Sequence, residues 1–103
     1  MDRPTTLITG ASRGIGRCIS LSLAALGHDL VINYAGNQEA AEQTARDCHR
    51  AATEAGHDIQ TLTFQANIGS PQDRDRLLKA TQDRFGRIDM LINNAGITSI
   101  GRQ

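Results

Sequence analysis

Short apolar runs alternate with stretches of helical spacing along the whole chain. Thr5 to Thr9 predicts a strand centred on Leu7 and Ile8. From Gly14 the period changes: Ile15, Ile19, Leu23 and Leu26 fall on one helical stripe, with Cys18 and Ser22 beside them. Gly27 suits the C-terminal stop, because left-handed geometry costs glycine little. "DLVINY", Asp29 to Tyr34, predicts the second strand, and "AGN" at 35–37 is turn material. A helix of small residues is expected from there to about Ala55, with Ala41, Thr44, Ala45, Cys48 and Ala52 on one face and Gly56 at its end. Ile59 to Ala66 predicts a third strand, with Leu62 and Phe64 on one face. In "SPQD", Ser70 suits the N-cap, Pro71 the first helical position and Asp73 the first turn. Leu77, Leu78, Thr81 and Phe85 predict the buried stripe of that helix, and Gly86 ends it. "IDMLINN", residues 88–94, is apolar nearly throughout and predicts a fourth strand.

The order is therefore β-α-β-α-β-α-β. Strands separated by helices of crossover length imply a parallel sheet covered on both faces. The right-handed crossover rule makes it an open, doubly wound sheet of α/β class. No repeat, linker or low-complexity segment interrupts the pattern, so the 103 residues form one domain or part of one.

Composition narrows the core and the partners. Only Tyr34, Phe64 and Phe85 are aromatic, which leaves the core to Leu, Ile, Val and Ala. Eleven basic and eleven acidic residues cancel without forming blocks, against a nucleic-acid or membrane-surface role driven by bulk charge. No apolar stretch approaches a membrane span, and the N-terminus lacks a signal-peptide pattern. Cys18 and Cys48 lack metal-ligand spacing and read as reduced packing thiols of a cytoplasmic protein; His28, His49 and His57 fit no ligand motif and read as surface or loop residues.

The candidate chemistry sits in "TLITGASRGIG", at the turn from the first strand into the first helix. Gly10-x-x-x-Gly14-x-Gly16 is weak evidence as letters and strong evidence in that place. Gly10 lets the chain turn off the strand, Gly14 removes a Cβ where a pyrophosphate must approach, and Gly16 lets the helix lie close to the sheet. The helix N-terminus adds unpaired N–H donors and about half a positive charge. The competing reading has the glycines serving only a tight turn and Arg13 as an ordinary solvated loop arginine. An acid at the end of the second strand commonly binds the adenine ribose, but here Asn33, Tyr34 and Ala35 occupy that place and Asp29 comes too early. The missing acid also argues against an adenosylmethionine methyltransferase. With Arg13 in the glycine loop and Arg17 one turn on, NADP(H) is expected over NAD(H).

"TGASRGIG" (9–16) and "NNAG" (93–96) together resemble the short-chain dehydrogenase/reductase family, in its N-terminal, cofactor-binding half. The resemblance covers essentially the whole chain and implies a Rossmann-type sheet, order 3-2-1-4, with about four strands and three helices. It places Gly10, Ser12, Arg13, Ile15 and Gly16 around the cofactor phosphates. Asn67 and Ile68 would line the adenine, although many members carry Asp at the first of these positions. Asn93 would lock the central strands, and Asn94, Ala95 and Gly96 would approach the cofactor ribose. "NYAGN", the Asn67–Ile68 pair and "NNAGIT" most resemble the 3-oxoacyl-(acyl-carrier-protein) reductases of fatty-acid biosynthesis.

The resemblance also implies a catalytic Tyr-x-x-x-Lys pair, a Ser and a further Asn, and all of these positions fall after Gln103. The only tyrosine, Tyr34, has Gln38 four residues on, and the only lysine is Lys79. The expectation is half of a carbonyl reductase or alcohol dehydrogenase, inactive by itself, whose parent takes an acyl-thioester or other carbonyl substrate and forms a homo-oligomer. The alternative is a non-catalytic dinucleotide-binding or interaction module docking through its uncovered fourth strand.

Overall fold

The computed structural model describes residues 3–94, and these described residues form four strands and three helices. They are β1 (Thr5–Thr9), α1 (Gly14–Ala25), β2 (Asp29–Tyr34), α2 (Gln38–Glu54), β3 (Thr61–Gln65), α3 (Pro71–Phe85) and β4 (Met90–Asn93). The sheet is parallel with order β3-β2-β1-β4, as expected. Registers of Leu7 with Val31 and Leu91, and of Val31 with Leu62, align the apolar centres of all four strands. β3 and β4 are shorter at both ends than the apolar runs that predicted them.

Side chains alternate across a strand, so β1 and β2 feed two separate cores. Ile8, Leu30 and Ile32 pack with Ala24, Ala41, Cys48 and Ala52 beneath α1 and α2. Leu7 and Val31 pack on the opposite face with Leu77 of α3, joined at the rim by Leu62, Phe64 and Phe85. The small-residue face expected for α2 is the buried one, because Ala and Thr allow α2 to lie close to both α1 and the sheet. Asn37 and Ser70 cap α2 and α3 by accepting from Ala40 N–H and Asp73 N–H. Gly27, Gly56 and Gly86 follow the three helices with φ of 89°, 89° and 75°, the left-handed stop.

The apolar stripe expected for α1 is only partly covered: Ile19 and Leu23 are half-buried, Leu23 against the core, and the ends of the stripe are not. Ile15 and Leu26 are 62 % and 69 % exposed, and the buried line is Gly16, Ser20 and Ala24. Close packing selects small residues there, and the Ser20 hydroxyl is satisfied within the helix by donating to the Gly16 carbonyl at 2.8 Å. Cys18 is therefore exposed rather than packed, whereas Cys48 is buried and its thiol is pushed up to about 12 by desolvation. Leu78 departs from its expected burial too. With Leu91 it borders a crevice of about 130 Å³ beside β4, the sheet edge, where Met90 and Leu91 are also exposed.

Asp89 ties β4 to β1: its carboxylate accepts from Thr5 N–H at 2.7 Å, and its own N–H donates to the Thr5 carbonyl at 2.8 Å. The Arg87 guanidinium first, and the Thr5 amide second, hold this carboxyl below its ordinary range. The Asn67 amide does the same for Asp73, as does Arg17 for Asp47. A depressed folded-state pKa contributes stability that is present above the unfolded value of about 3.9 and lost as pH falls through the folded value. Urea midpoints should therefore drop below about pH 4. Asp89→Asn should make that drop shallower, and an unchanged acid limb in the variant would refute the assignment.

Candidate functional site

At the C-terminal end of β1 the chain turns at Gly10, whose φ is 62°. The loop that follows is held from three sides. Ala11 N–H donates to the Asn33 carbonyl at 2.9 Å, and Gly10 N–H to Asn33 Oδ1 at 3.3 Å. From the end of β4, Asn94 Nδ2 donates to the Gly10 carbonyl at 3.0 Å. From α2, the Thr44 hydroxyl donates to the Ser12 carbonyl at 3.2 Å. Gly14, at φ 63°, has open space where a Cβ would stand. At Gly16 an added Cβ would lie 2.4 Å from the Gly10 carbonyl oxygen and 2.8 Å from Asn94 Nδ2. The two glycines do different work: one keeps the loop open to a ligand, the other lets α1 lie against the loop and β4.

The three helices differ at their starts. α2 and α3 have side-chain caps and an acid in the first turn, Glu39 and Asp73. α1 follows its N-cap residue Arg13 with no side-chain cap and no acid in its first turn. Its first N–H groups and the positive end of its dipole thus meet no acid of the helix's own first turn. They border a cleft of about 790 Å³ walled by Gly10, Ser12, Arg13, Gly14 and Ile15 on one side and by Ala35, Gly36 and Asn37 on the other, with Asn94 also in the lining. This is where the strand order reverses, since β1 leads through α1 to β2 on one side while β4 lies on the other. Open α/β sheets bind ligands at that point.

Residues 4–103 match the family model described as short chain dehydrogenase. The chain belongs to the short-chain dehydrogenase family. Among its curated relatives are 3-oxoacyl-[acyl-carrier-protein] reductases. That of a Synechocystis strain is 45 % identical over 92 residues, covering 89 % of this chain and 35 % of the relative. That of a Staphylococcus epidermidis strain is 38 % identical over 94 residues, covering 91 % and 36 %. Solved structures of the same fold include an NADH-dependent reductase, A1-R', complexed with NAD, at TM-score 0.77 and 27 % identity over 89 % of this chain and 36 % of that one. A dehydrogenase from Burkholderia cenocepacia with bound NADP aligns at TM-score 0.70 and 30 % identity over 88 % and 33 %. The chain thus spans about a third of the length of these short-chain dehydrogenases.

Several residues singled out in the sequence meet at the cleft, and others stand apart. Gly10, Ser12, Arg13, Gly14, Ile15, Ala35 and Asn94 line it; Gly16 lies beneath it, buried under the loop. Asn33 is only 1 % exposed and supports the loop from below, with Nδ2 donating to the Phe64 and Ala66 carbonyls at 3.3 and 3.2 Å. Tyr34 is likewise buried. Asn67 is exposed after β3, where its Oδ1 accepts from Gly69 N–H, while Ile68 borders the crevice beside β4. Neither lines the cleft. Thr9 Oγ1 donates to Asn93 Oδ1 at 3.1 Å, joining the paired ends of β1 and β4. Ala95 and Gly96 lie outside the described residues.

Arg17, the second arginine singled out in the sequence, is paired with α2 and does not line the cleft. Its guanidinium is held against α2 by Asp47 at 2.6 Å and by Thr44 Oγ1 at 3.4 Å, because its helical position faces α2 rather than the loop. Gly36 and Asn37 went unassigned as ligands in the sequence, and their position directly after β2 was the available signal. Among the described residues no group of three or more His, Cys, Asp or Glu could hold a metal, and no helix is long and apolar enough to cross a membrane.

Proposed function

We propose that residues 1–103 are the dinucleotide-binding part of an NADP(H)-dependent oxidoreductase that transfers hydride between the coenzyme and a carbonyl substrate, a 3-oxoacyl thioester on acyl-carrier protein. The observation that carries this reading is the uncapped, acid-free start of α1 facing a glycine-lined cleft at the strand-order reversal. Those features fit a pyrophosphate: amide donors, a positive dipole end and no Cβ at Gly14. When bound, the nicotinamide coenzyme supplies the hydride. The residues of this chain bind and orient it: the loop amides hold the phosphates, and Ala35, Gly36 and Asn37 wall the adenosine side without presenting a carboxylate.

Arg13 supplies the preference for a 2′-phosphate. It is exposed at the cleft and forms no ion pair among the described residues, whereas Arg17 is paired with Asp47. The 38–45 % identity to 3-oxoacyl-[acyl-carrier-protein] reductases supports the substrate class. Calorimetric titration of the intact gene product should show NADPH binding more tightly than NADH. Arg13→Ala should weaken NADPH about tenfold, the size of one charge-assisted hydrogen bond, with little change for NADH. Equal affinities in the wild type would overturn the coenzyme preference, and no binding of either would overturn the assignment.

A further inference from the structure

The glycine loop is braced by a side chain that never reaches the cleft. Thr44 is fully buried on α2 and is not among the residues lining the cleft, yet its hydroxyl donates to the Ser12 carbonyl at 3.2 Å. Its proton is committed to that bond, because its other partner, Arg17 Nη1 at 3.4 Å, is a donor only. Arg17 is itself fixed by Asp47 at 2.6 Å, and Asp47 also accepts from Gln43 at 2.9 Å. The direction of the Thr44 hydroxyl is therefore set by α2.

The consequence lies in the peptide joining Ser12 to Arg13. It is trans, so its C=O and N–H point in opposite directions. With the oxygen drawn toward α2, the Arg13 N–H points away from α2. Ser12 and Arg13 both line the cleft and Thr44 lies buried behind them, so that direction is the cleft. We infer that Thr44 is a positioning residue of the nucleotide cradle, whose hydroxyl turns the Ser12 oxygen away from a bound pyrophosphate and the Arg13 amide toward it. Without the hydroxyl, this peptide is free to rotate and present a carbonyl oxygen to the phosphates. The inference rests on the dinucleotide reading proposed above.

Thr44→Val keeps the shape and removes the proton; Thr44→Ser restores the hydroxyl. Calorimetric titration of the intact protein with NADPH, ADP and adenosine should show Thr44→Val weakening NADPH and ADP alike by about tenfold, the upper size of one neutral hydrogen bond, and adenosine not at all. Thr44→Ser should return both ligands to within about twofold of wild type. Wild-type affinity in Thr44→Val, or equal losses in Val and Ser, would overturn the inference while leaving the dinucleotide reading intact. Absence of NADPH binding in the wild type would instead overturn that reading. Should Thr44→Val not fold, the wild-type amide spectrum decides: the Arg13 N–H resonance should move with ADP and not with adenosine. An Arg13 resonance unmoved by ADP would refute the inference.

Discussion

Gly16→Ala is expected to lower folding stability by about 3 kcal/mol, the upper end of the cost of overpacking. The added methyl would stand 2.4 Å from the Gly10 carbonyl oxygen, 2.8 Å from Asn94 Nδ2 and 3.0 Å from Ala11 Cα. Two of these three are backbone atoms, so no side-chain rotation relieves the clash. Either α1 moves off the sheet or the loop moves off α1, and both displace the amides that face the cleft. Dinucleotide affinity should fall more than about tenfold in whatever fraction remains folded. Gly14→Ala is the informative control. Its Cβ meets nothing within 4 Å, so it carries only the strain of a φ of 63°, about 1–2 kcal/mol. Its methyl points into open space at the cleft lining, so its affinity should fall with the smaller stability loss. Urea denaturation of both variants checks the order, and a Gly16→Ala protein as stable as Gly14→Ala would show that the close contact is not rigid.

Asn33→Asp should cost about 3–5 kcal/mol at neutral pH, the penalty for leaving a buried charge without compensation. Nδ2 of Asn33 donates to the Phe64 and Ala66 carbonyls, while Oδ1 accepts from Gly10 N–H. A carboxylate keeps the acceptor and turns the donor into a negative charge facing two carbonyl oxygens, in a site 1 % exposed. The folded-state pKa of the new acid would be raised, so its sign is opposite to that of Asp89. The penalty is absent below the unfolded value of about 3.9, grows as pH rises above it and levels off beyond the raised folded value. Denaturation midpoints should thus lie closest to wild type at pH 4–5 and furthest at pH 7. The substitution should not create an NAD-type ribose-binding acid, because residue 33 faces the loop support rather than the cleft. A variant that gained NADH affinity at unchanged stability would contradict this geometry.

Both predictions turn on residues whose types were visible in the sequence and whose tasks were not. The strand–glycine–helix succession identified Gly16 as a packing residue, and the structure names its opponents, the Gly10 carbonyl and Asn94. Asn33 was read as a candidate coenzyme contact from its place near the end of β2. That place is shared by side chains facing the cleft and side chains tied into the backbone beneath it, and the hydrogen-bond partners supplied by β3 and the loop decide between them. Asn33 is held by the Phe64 and Ala66 carbonyls beneath the loop, whereas Ala35, just past the end of β2, lines the cleft. On α1, the large apolar residues mark the rim of the packed face rather than its centre, because a helix packed closely on a sheet buries its smallest residues deepest, leaving Leu23 half-buried and Ile15 and Leu26 outside.

The sequence by itself determined the succession of elements, the parallel order of the sheet, the glycine cradle and the family, since these depend on local period, turn chemistry and short motifs. Only the tertiary structure decided which partner each polar side chain found: Arg17 with Asp47, Asn33 with the backbone beneath the loop, Thr44 with the Ser12 carbonyl. The physical reason is that these pairings join residues about 30 positions apart. Their geometry is set by how closely α1, α2 and the sheet approach one another, and that distance is a property of the packed cores rather than of any one segment.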